Sequence, residues 1–137
     1  MEEERLDKDH YFMGFAIQAA TRGTCSRLKV GAVIIRDDIV IATAYNGAPI
    51  GLPHCDHTQD QHSPCKLAVH AEMNAILFAG RDKAKGGTMY ITHAPCLACS
   101  GPMIQSGIKE VVYRYNYKNL DGVHNIKKGN IMVGVLL

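Results

Sequence analysis

Hydrophobic residues recur along the first third of the chain in a helical pattern and then in two strand-like runs. Apolar positions at near-helical spacing over residues 6–22 predict an amphipathic helix that ends at Gly23. Two runs rich in valine and isoleucine, residues 30–36 and Ile39–Tyr45, lie on either side of Asp37-Asp38. Acidic turn residues between two apolar runs predict a hairpin of two buried strands.

The second half of the chain alternates between helical and strand-like patterns. Helices are predicted over residues 70–80, 96–106 and 119–128, and strands over 88–92, 111–115 and 131–136. In the helix over 70–80, the predicted core contacts are Met73, Ile76, Leu77 and Phe78. The order α-β-β-α-β-α-β-α-β predicts an α/β fold, with helices on both faces of a mixed, largely parallel five-stranded sheet. A length of 137 residues suits a single domain over 1–137.

Residues 46–66 interrupt this alternation with three prolines and two glycines, which predicts a long loop. The loop and the segment before it contain six side chains of the kinds that bind zinc: Cys25, His54, Cys55, His57, His62 and Cys65. Such a set could hold a structural zinc ion. The spacing contains no C-x-x-C pair in this region, so a merely polar loop is the alternative.

Composition excludes several classes of protein. A formal net charge of +2 is too small for a protein that relies on phosphate attraction along a polynucleotide, so no nucleic-acid partner is expected. No apolar run approaches the roughly 18 residues of a membrane span, so no membrane partner is expected either. The charged N-terminal segment and an odd number of cysteines, five, predict a cytoplasmic protein whose cysteines are metal ligands and free thiols.

The strongest chemical signal is His70-Ala71-Glu72 followed by Pro95-Cys96-Leu97-Ala98-Cys99. One histidine and two cysteines supply three ligands for zinc and leave a fourth position open, as in catalytic zinc sites. Glu72 remains beside the metal as a general base. Because residues i and i+2 of a helix point about 200° apart, His70 and Glu72 must lie at the very start of their helix. Pro95 suits the first position of the second helix.

Several further segments carry a family resemblance. They are residues 25–33, Tyr45-Asn46-Gly47-Ala48-Pro49, residues 54–56, 70–76, 95–99 and 107–109. Together with the signature H-x-E and P-C-x-x-C of zinc nucleobase deaminases, they resemble the deoxycytidylate deaminases from about Cys25 to the C-terminus. The resemblance implies a cytidine-deaminase-like three-layer α/β/α fold. It also implies zinc-dependent hydrolysis of dCMP to dUMP and ammonia, which supplies dUMP for thymidylate synthesis.

The resemblance assigns roles to individual residues. It implies Glu72 as the catalytic base and zinc bound by His70, Cys96 and Cys99. The substrate-binding residues that it implies are Ser26, Arg27, Lys29, Asn46, Ala71, Ala94, Pro95 and Tyr117. Arg27 can hold the 5′-phosphate through two hydrogen bonds, and Asn46 would bind the sugar. From the residues alone, Asn46 could equally be a turn residue, Arg27 a solvated cation and Tyr117 part of an exposed strand face.

The family further implies a homo-oligomer, with a hexamer favoured, regulated by dCTP and dTTP. Mg²⁺ could accompany a regulatory nucleotide, and Phe78 and Arg81 match positions near subunit contacts and regulation. Some members carry a second, structural zinc. Two other functions stay open: deamination of tRNA adenosine or of another nucleoside or nucleobase, and a non-enzymatic scaffold stabilised by zinc. An unliganded glutamate beside the metal argues against the scaffold.

Overall fold

The structure is a computed structural model that describes residues 4–57, 65–117 and 119–137. In chain order the elements are α1 Lys8–Ala20, β1 Gly31–Arg36, β2 Ile39–Tyr45, α2 Ala71–Ala79, α3 Arg81–Ala84, β3 Thr88–His93, α4 Leu97–Gln105, β4 Glu110–Tyr115, α5 Asp121–Lys128 and β5 Met132–Val135. Every helix and strand predicted from the pattern is present. The short helix α3 was not predicted, because four residues are too few to show a helical period.

The five strands form one mixed sheet in the order β2-β1-β3-β4-β5. Asp37 and Asp38, both at positive φ (53° and 61°), connect β1 and β2 as a tight antiparallel hairpin. β1 also pairs antiparallel with β3, whereas β3 with β4 and β4 with β5 are parallel. The mixed α/β sheet is therefore confirmed. It is half parallel rather than largely parallel, because the hairpin places two antiparallel pairings on one side.

Alternating residues of each central strand pack against different helices, which produces the three α/β/α layers. On one face, Phe12 and Met13 of α1 pack against Val33, Tyr90 and Val112. The opposite face packs against α2, α4 and α5 through the neighbouring positions of the same strands: Ala32, Ile34, Met89, Ile91, Val111 and Tyr113. The two-residue period of a strand separates these two apolar sets.

The helix α2 buries small residues rather than the large ones predicted. Ala71, Ala75 and Ala79 are buried, whereas Leu77 and Phe78 are 68% and 63% exposed. The prediction that both contribute to the core was wrong. The helix lies so close to β1 and β2 that alanine fills the space between them. Among the described residues, no helix is long and apolar enough to cross a membrane.

The long loop predicted over residues 46–66 is confirmed for the parts that are described. Gly47 pairs with Val69 in an isolated antiparallel bridge. The Gly47 N–H donates to the Val69 carbonyl at 3.1 Å, and the Val69 N–H donates to the Gly47 carbonyl at 2.7 Å. This bridge brings the two ends of the loop together directly before α2.

Replacing Gly31 with alanine should destabilise the protein by about 2 kcal/mol or more. A Cβ at this position would lie 1.9 Å from the Ala16 carbonyl oxygen and 2.5 Å from the Ala20 nitrogen, both in α1. Gly14→Ala is the matched control, because a Cβ there meets nothing within 4 Å. That variant should be stabilised by up to about 1 kcal/mol, since alanine is the better helix former. Urea denaturation measures both. Equal stability of the two variants would contradict the close approach of α1 to β1.

Candidate active site

Two helix N-termini meet at the carboxyl end of β3. His70 is the N-cap of α2 and Cys96 is the N-cap of α4, and both have extended backbone conformations. Neither side chain makes a capping hydrogen bond, so both are directed to each other instead. Glu72 lies in the first turn of α2 and Cys99 in the first turn of α4. The predicted position of His70 and Glu72 at a helix start matches this arrangement. Pro95 was predicted to be the first helical residue, but it precedes the N-cap because Cys96 itself has non-helical dihedral angles.

His70, Cys96 and Cys99 form a compact cluster of possible ligand atoms. The Nδ1 atom of His70 lies 3.4 Å from the Cys96 Sγ and 3.3 Å from the Cys99 Sγ. All three ligand atoms lie within 4.8 Å of one another. Tetrahedral zinc, with bonds of about 2.0 Å to nitrogen and 2.3 Å to sulfur, separates these atoms by about 3.5 Å. The three side chains therefore fit zinc in both chemistry and spacing.

The two thiols of this cluster have opposite acidities. Hydrogen bonds from Cys99 and His70 lower the pKa of Cys96 to about 4. The same hydrogen bond to Cys96, together with burial, raises the pKa of Cys99. The hydrogen bond to Cys96 also raises the pKa of His70. One thiolate thus forms readily beside the imidazole, and the proton of the second thiol is the one that a bound metal must displace.

Glu72 is a buried carboxyl group next to this cluster. Its side chain is only 4% exposed, and burial raises its pKa to about 7. Glu72 also lines a cavity of about 310 Å³ together with His70 and Cys96. A carboxyl group with this environment can hold or release a proton near neutral pH, which is the property of a general acid or base.

The cavity includes five of the eight predicted substrate-binding residues: Arg27, Asn46, Ala71, Ala94 and Tyr117. Tyr117 also packs against the core. Tyr113 is buried and Tyr115 is 50% exposed, so the tyrosines do not share one exposed face, and Tyr117 lies beyond the end of β4. The structure thus brings a cationic side chain, an amide and an aromatic ring into the cavity that Glu72 lines.

The other three predicted substrate-binding residues do not line the cavity. Ser26 is exposed, and its Oγ accepts a hydrogen bond from the backbone N–H of His57 at 3.2 Å. Lys29 is exposed to solvent. Pro95 is fully buried. Ser26 contacts the backbone of the loop, Lys29 is solvated and Pro95 lies in the packed interior.

Asn46 holds the loop that carries Arg27. Its Oδ1 accepts a hydrogen bond from the Val30 N–H at 2.8 Å, and its Nδ2 donates to the Leu28 carbonyl at 2.7 Å. The residue is buried. Its side chain therefore fixes both backbone neighbours of Lys29 and, with them, the approach of Arg27 to the cavity.

A second cluster of possible metal ligands lies in the loop. Cys25, Cys55, His57 and Cys65 place their ligand atoms within 4.8 Å of one another, and the Cys25 Sγ lies 3.4 Å from the His57 Nε2. Three cysteines and one histidine are a ligand set typical of structural zinc. His54 is exposed and outside this cluster. His57 is therefore the histidine of the cluster, which the sequence alone did not identify among the candidates. His62 lies outside the described residues.

Phe78 and Arg81, predicted to lie near subunit contacts, lie at the exposed end of α2 and the start of α3. Two polar residues that line the cavity were not predicted as site residues, His93 and Asn119. His93 ends β3 directly before Ala94-Pro95-Cys96, so its place in the sequence was a usable signal. Asn119 was predicted to begin the helix over 119–128, but α5 begins at Asp121 and leaves Asn119 before it.

Comparisons with known proteins agree with this site. A family model described as the cytidine and deoxycytidylate deaminase zinc-binding region matches residues 6–115. The deoxycytidylate deaminase of Mycobacterium phage D29 is 43% identical over 122 residues, which cover 80% of this chain and 95% of the phage protein. The deoxycytidylate deaminase of Saccharomyces cerevisiae is 43% identical over 119 residues, 80% of this chain but only 38% of the yeast protein.

A solved structure shares the whole fold. The dCMP deaminase from the cyanophage S-TIM5, in complex with dCMP and dUMP, superposes with a TM-score of 0.88 and 28% sequence identity. The match covers 98% of this chain and 100% of the phage chain. With most of its length matched by the family model and by its relatives, the chain belongs to the cytidine and deoxycytidylate deaminase family and carries that family's zinc-binding region.

Proposed function

We propose that this protein hydrolyses dCMP to dUMP and ammonia and so supplies the precursor of thymidylate. The observation that carries the proposal is the single cavity that Glu72, His70 and Cys96 share with Arg27. One end offers a zinc cluster and a proton carrier, and the other offers a cation for a phosphate. The phage and yeast relatives named deoxycytidylate deaminase support this substrate, as does the S-TIM5 structure with dCMP and dUMP.

His70, Cys96 and Cys99 would hold the catalytic zinc. When bound, zinc lowers the pKa of a coordinated water to about 7 and provides a nucleophile at neutral pH. Glu72 then has two proton transfers to perform. It accepts a proton from the attacking water and delivers it to N3 of the cytosine ring. It next takes the proton from the hydroxyl group now on C4 and delivers it to the amino group, so that the C4–N bond breaks, ammonia leaves and the C4 carbonyl forms.

Arg27 and Asn46 would bind the nucleotide beyond the ring. Arg27 lines the cavity and can grip the 5′-phosphate with two N–H groups. Asn46 positions the Arg27 loop and still has one amide hydrogen and one lone pair for the sugar. The backbone at Ala71 and Ala94 would hold the edge of the ring, and Tyr117 would pack on it. Ser26, Lys29 and Pro95 would act through the loop and the ligand segment rather than by direct contact.

We also propose a second, structural zinc bound by Cys25, Cys55, His57 and Cys65. The support is the four-ligand set, two members of which are buried. The thiols of both clusters need a reducing compartment, which argues for the cytoplasm.

The exposed apolar end of α2, Leu77 and Phe78, supports the proposed homo-oligomer, because large apolar side chains next to each other mark protein contacts. The hexameric state, the dCTP and dTTP effectors, Mg²⁺, and a regulatory role for Phe78 and Arg81 rest on the family resemblance and stay predictions.

The alternative functions fit less well. A tRNA adenosine deaminase needs an extended basic surface, and this chain carries a net charge of only +2. A zinc-stabilised scaffold has no use for a carboxyl group that is buried beside the metal ligands and open to a cavity, since burying an unpaired carboxylate costs stability.

Glu72→Gln should abolish turnover without removing zinc. Glutamine preserves the shape of the side chain but cannot carry protons, and loss of a general base costs about 10²-fold or more in kcat. Loss of absorbance with dCMP measures turnover, and metal analysis of the purified variant measures zinc. The assignment of Glu72 as base fails if the variant keeps more than about a tenth of wild-type activity.

Arg27→Ala should largely erase the preference for dCMP over deoxycytidine. A charge-assisted phosphate contact is worth about 1.5 to 3 kcal/mol, so kcat/KM for dCMP should fall about 10- to 150-fold. Activity on deoxycytidine should barely change, because this nucleoside lacks the phosphate. Arg5→Ala is the control, since Arg5 is exposed and does not line the cavity. If Lys29→Ala reduces the preference and Arg27→Ala does not, Arg27 is the wrong residue.

Zinc-replete protein should contain about two zinc ions per chain, and Cys55→Ser should reduce this to about one. Cys55 is buried in the second cluster and does not line the substrate cavity. Cys96→Ser is the comparison: it too should lose one zinc, but together with all activity. The melting temperature of Cys55→Ser should fall, because metal binding stabilises the folded state. A wild-type content of one zinc, unchanged in Cys55→Ser, would rule out the second site.

A further inference from the structure

His93 is a polar side chain of the cavity that none of the roles above uses. It is the last residue of β3 and lines the cavity beside Ala94 and Cys96. By the alternation of the strand, it lies on the same sheet face as Met89 and Ile91, which is the face covered by α2 and α4.

The His93 ring is held in one orientation. The Gly31 N–H donates to the Thr92 Oγ1 at 3.2 Å, and the Thr92 Oγ1 lies 2.8 Å from the His93 Nδ1. Thr92 is buried, so its hydroxyl hydrogen needs an acceptor, and in the described part of the chain the His93 Nδ1 is the acceptor within hydrogen-bond distance. Burial lowers the pKa of His93 and so favours the neutral ring. The neutral ring that accepts at Nδ1 carries its proton on Nε2.

The Nε2 atom is therefore a donor available to a ligand. Among the described residues, His93 Nε2 has no hydrogen-bond partner, and no buried side-chain nitrogen or oxygen lacks one. Nε2 must then be accessible. The Tyr115 ring, with its centroid 5.3 Å away, supports the imidazole from the next strand.

The two sides of the cavity belong to different parts of the sheet. The helix α2, which carries Glu72, packs on β1 and β2. His93 belongs to β3, and Tyr117 follows β4, on the other side of the sheet order. A cytosine ring with C4 at the zinc ligands and N3 at Glu72 has its C5 edge on the side away from Glu72. The C5 edge then lies toward the ends of β3 and β4, where His93 and Tyr117 line the cavity.

We infer that His93 faces C5 of the cytosine ring and determines which 5-substituted deoxycytidylates the enzyme accepts. The inference rests on the proposed function. The imidazole limits the space beside C5, so a methyl group there is disfavoured. Its Nε2–H can donate to a hydroxyl oxygen, so a hydroxymethyl group at C5 is accepted better than a methyl group. His93 is thus a specificity-determining residue with two separable properties, volume and a hydrogen-bond donor.

The test compares kcat/KM for dCMP, 5-methyl-dCMP and 5-hydroxymethyl-dCMP. His93→Ala should raise the ratio of kcat/KM for 5-methyl-dCMP to kcat/KM for dCMP by about tenfold or more. One extra methyl group in a closely fitting pocket changes kcat/KM by about this factor. His93→Leu should keep that ratio close to the wild-type value but lose the advantage of hydroxymethyl over methyl. His124→Ala, an exposed histidine of α5 that does not line the cavity, should change neither ratio.

The ratios separate specificity from stability, because a variant that is merely unstable loses activity on all three substrates equally. Zinc content measured alongside should match the wild type. If both ratios in His93→Ala and His93→Leu stay within about twofold of the wild type, the inference is overturned while the proposed function stands. If His93→Ala does not fold, the hydroxymethyl-to-methyl ratio of His93→Leu decides alone. If the wild type deaminates none of the three, the proposed function fails first.

Discussion

The arrangement of this molecule depends on one electrostatic constraint: two helix N-termini converge on a site for a divalent cation. Each N-terminus carries a partial positive charge, so α2 and α4 would repel a metal between them. The thiolates of Cys96 and Cys99 reverse this balance, because they neutralise the ion and interact favourably with both dipoles. The constraint also determines the local backbone. His70 and Cys96 occupy the N-cap positions of α2 and α4. Their side chains make no capping hydrogen bond, because they are needed as metal ligands.

The packing around the site keeps these two helix starts together. A Cβ on Gly122, at the start of α5, would lie 2.2 Å from the Pro95 carbonyl oxygen and 2.5 Å from the Cys96 carbonyl carbon. The backbone of α5 therefore rests directly on the ligand segment, and only glycine permits this approach. Asn125 adds a hydrogen bond to Ser100 at 2.8 Å, which ties α5 to α4 behind the ligands. The metal site is held by backbone contact on one side and by the sheet on the other.

The sequence predicted the elements well, and also that His70, Cys96 and Cys99 lie together, because both predictions rest on local rules. Helix and strand periods are visible over five or more residues, and the H-x-E and C-x-x-C spacings place ligands on helix starts. The predictions that failed concern contacts between residues that are far apart in the sequence. Nothing local shows that α2 lies so close to the sheet that alanine is buried and Phe78 is left outside. Nothing local selects His57 over His54 as the neighbour of Cys25, because that choice is made by a loop that closes over 32 residues. Nor does anything local show that Asn46 holds the backbone on both sides of Lys29, since the residues that it joins lie 16 and 18 positions away.

The second cluster and the cavity share two short segments of chain, which connects structural and chemical roles. Cys25 precedes Arg27 by two residues, and Cys65 precedes His70 by five. Between Cys65 and His70, the bridge from Val69 to Gly47 fixes the backbone again. Cys25 and Cys65 themselves line the cavity. This cluster is thus joined to the Arg27 end of the cavity through the Arg27 loop and to the His70 end through the segment before α2. Because a few residues of chain cannot absorb large displacements, the distance between Arg27 and His70 depends on the second cluster, although that cluster contributes no atom to the proposed reaction.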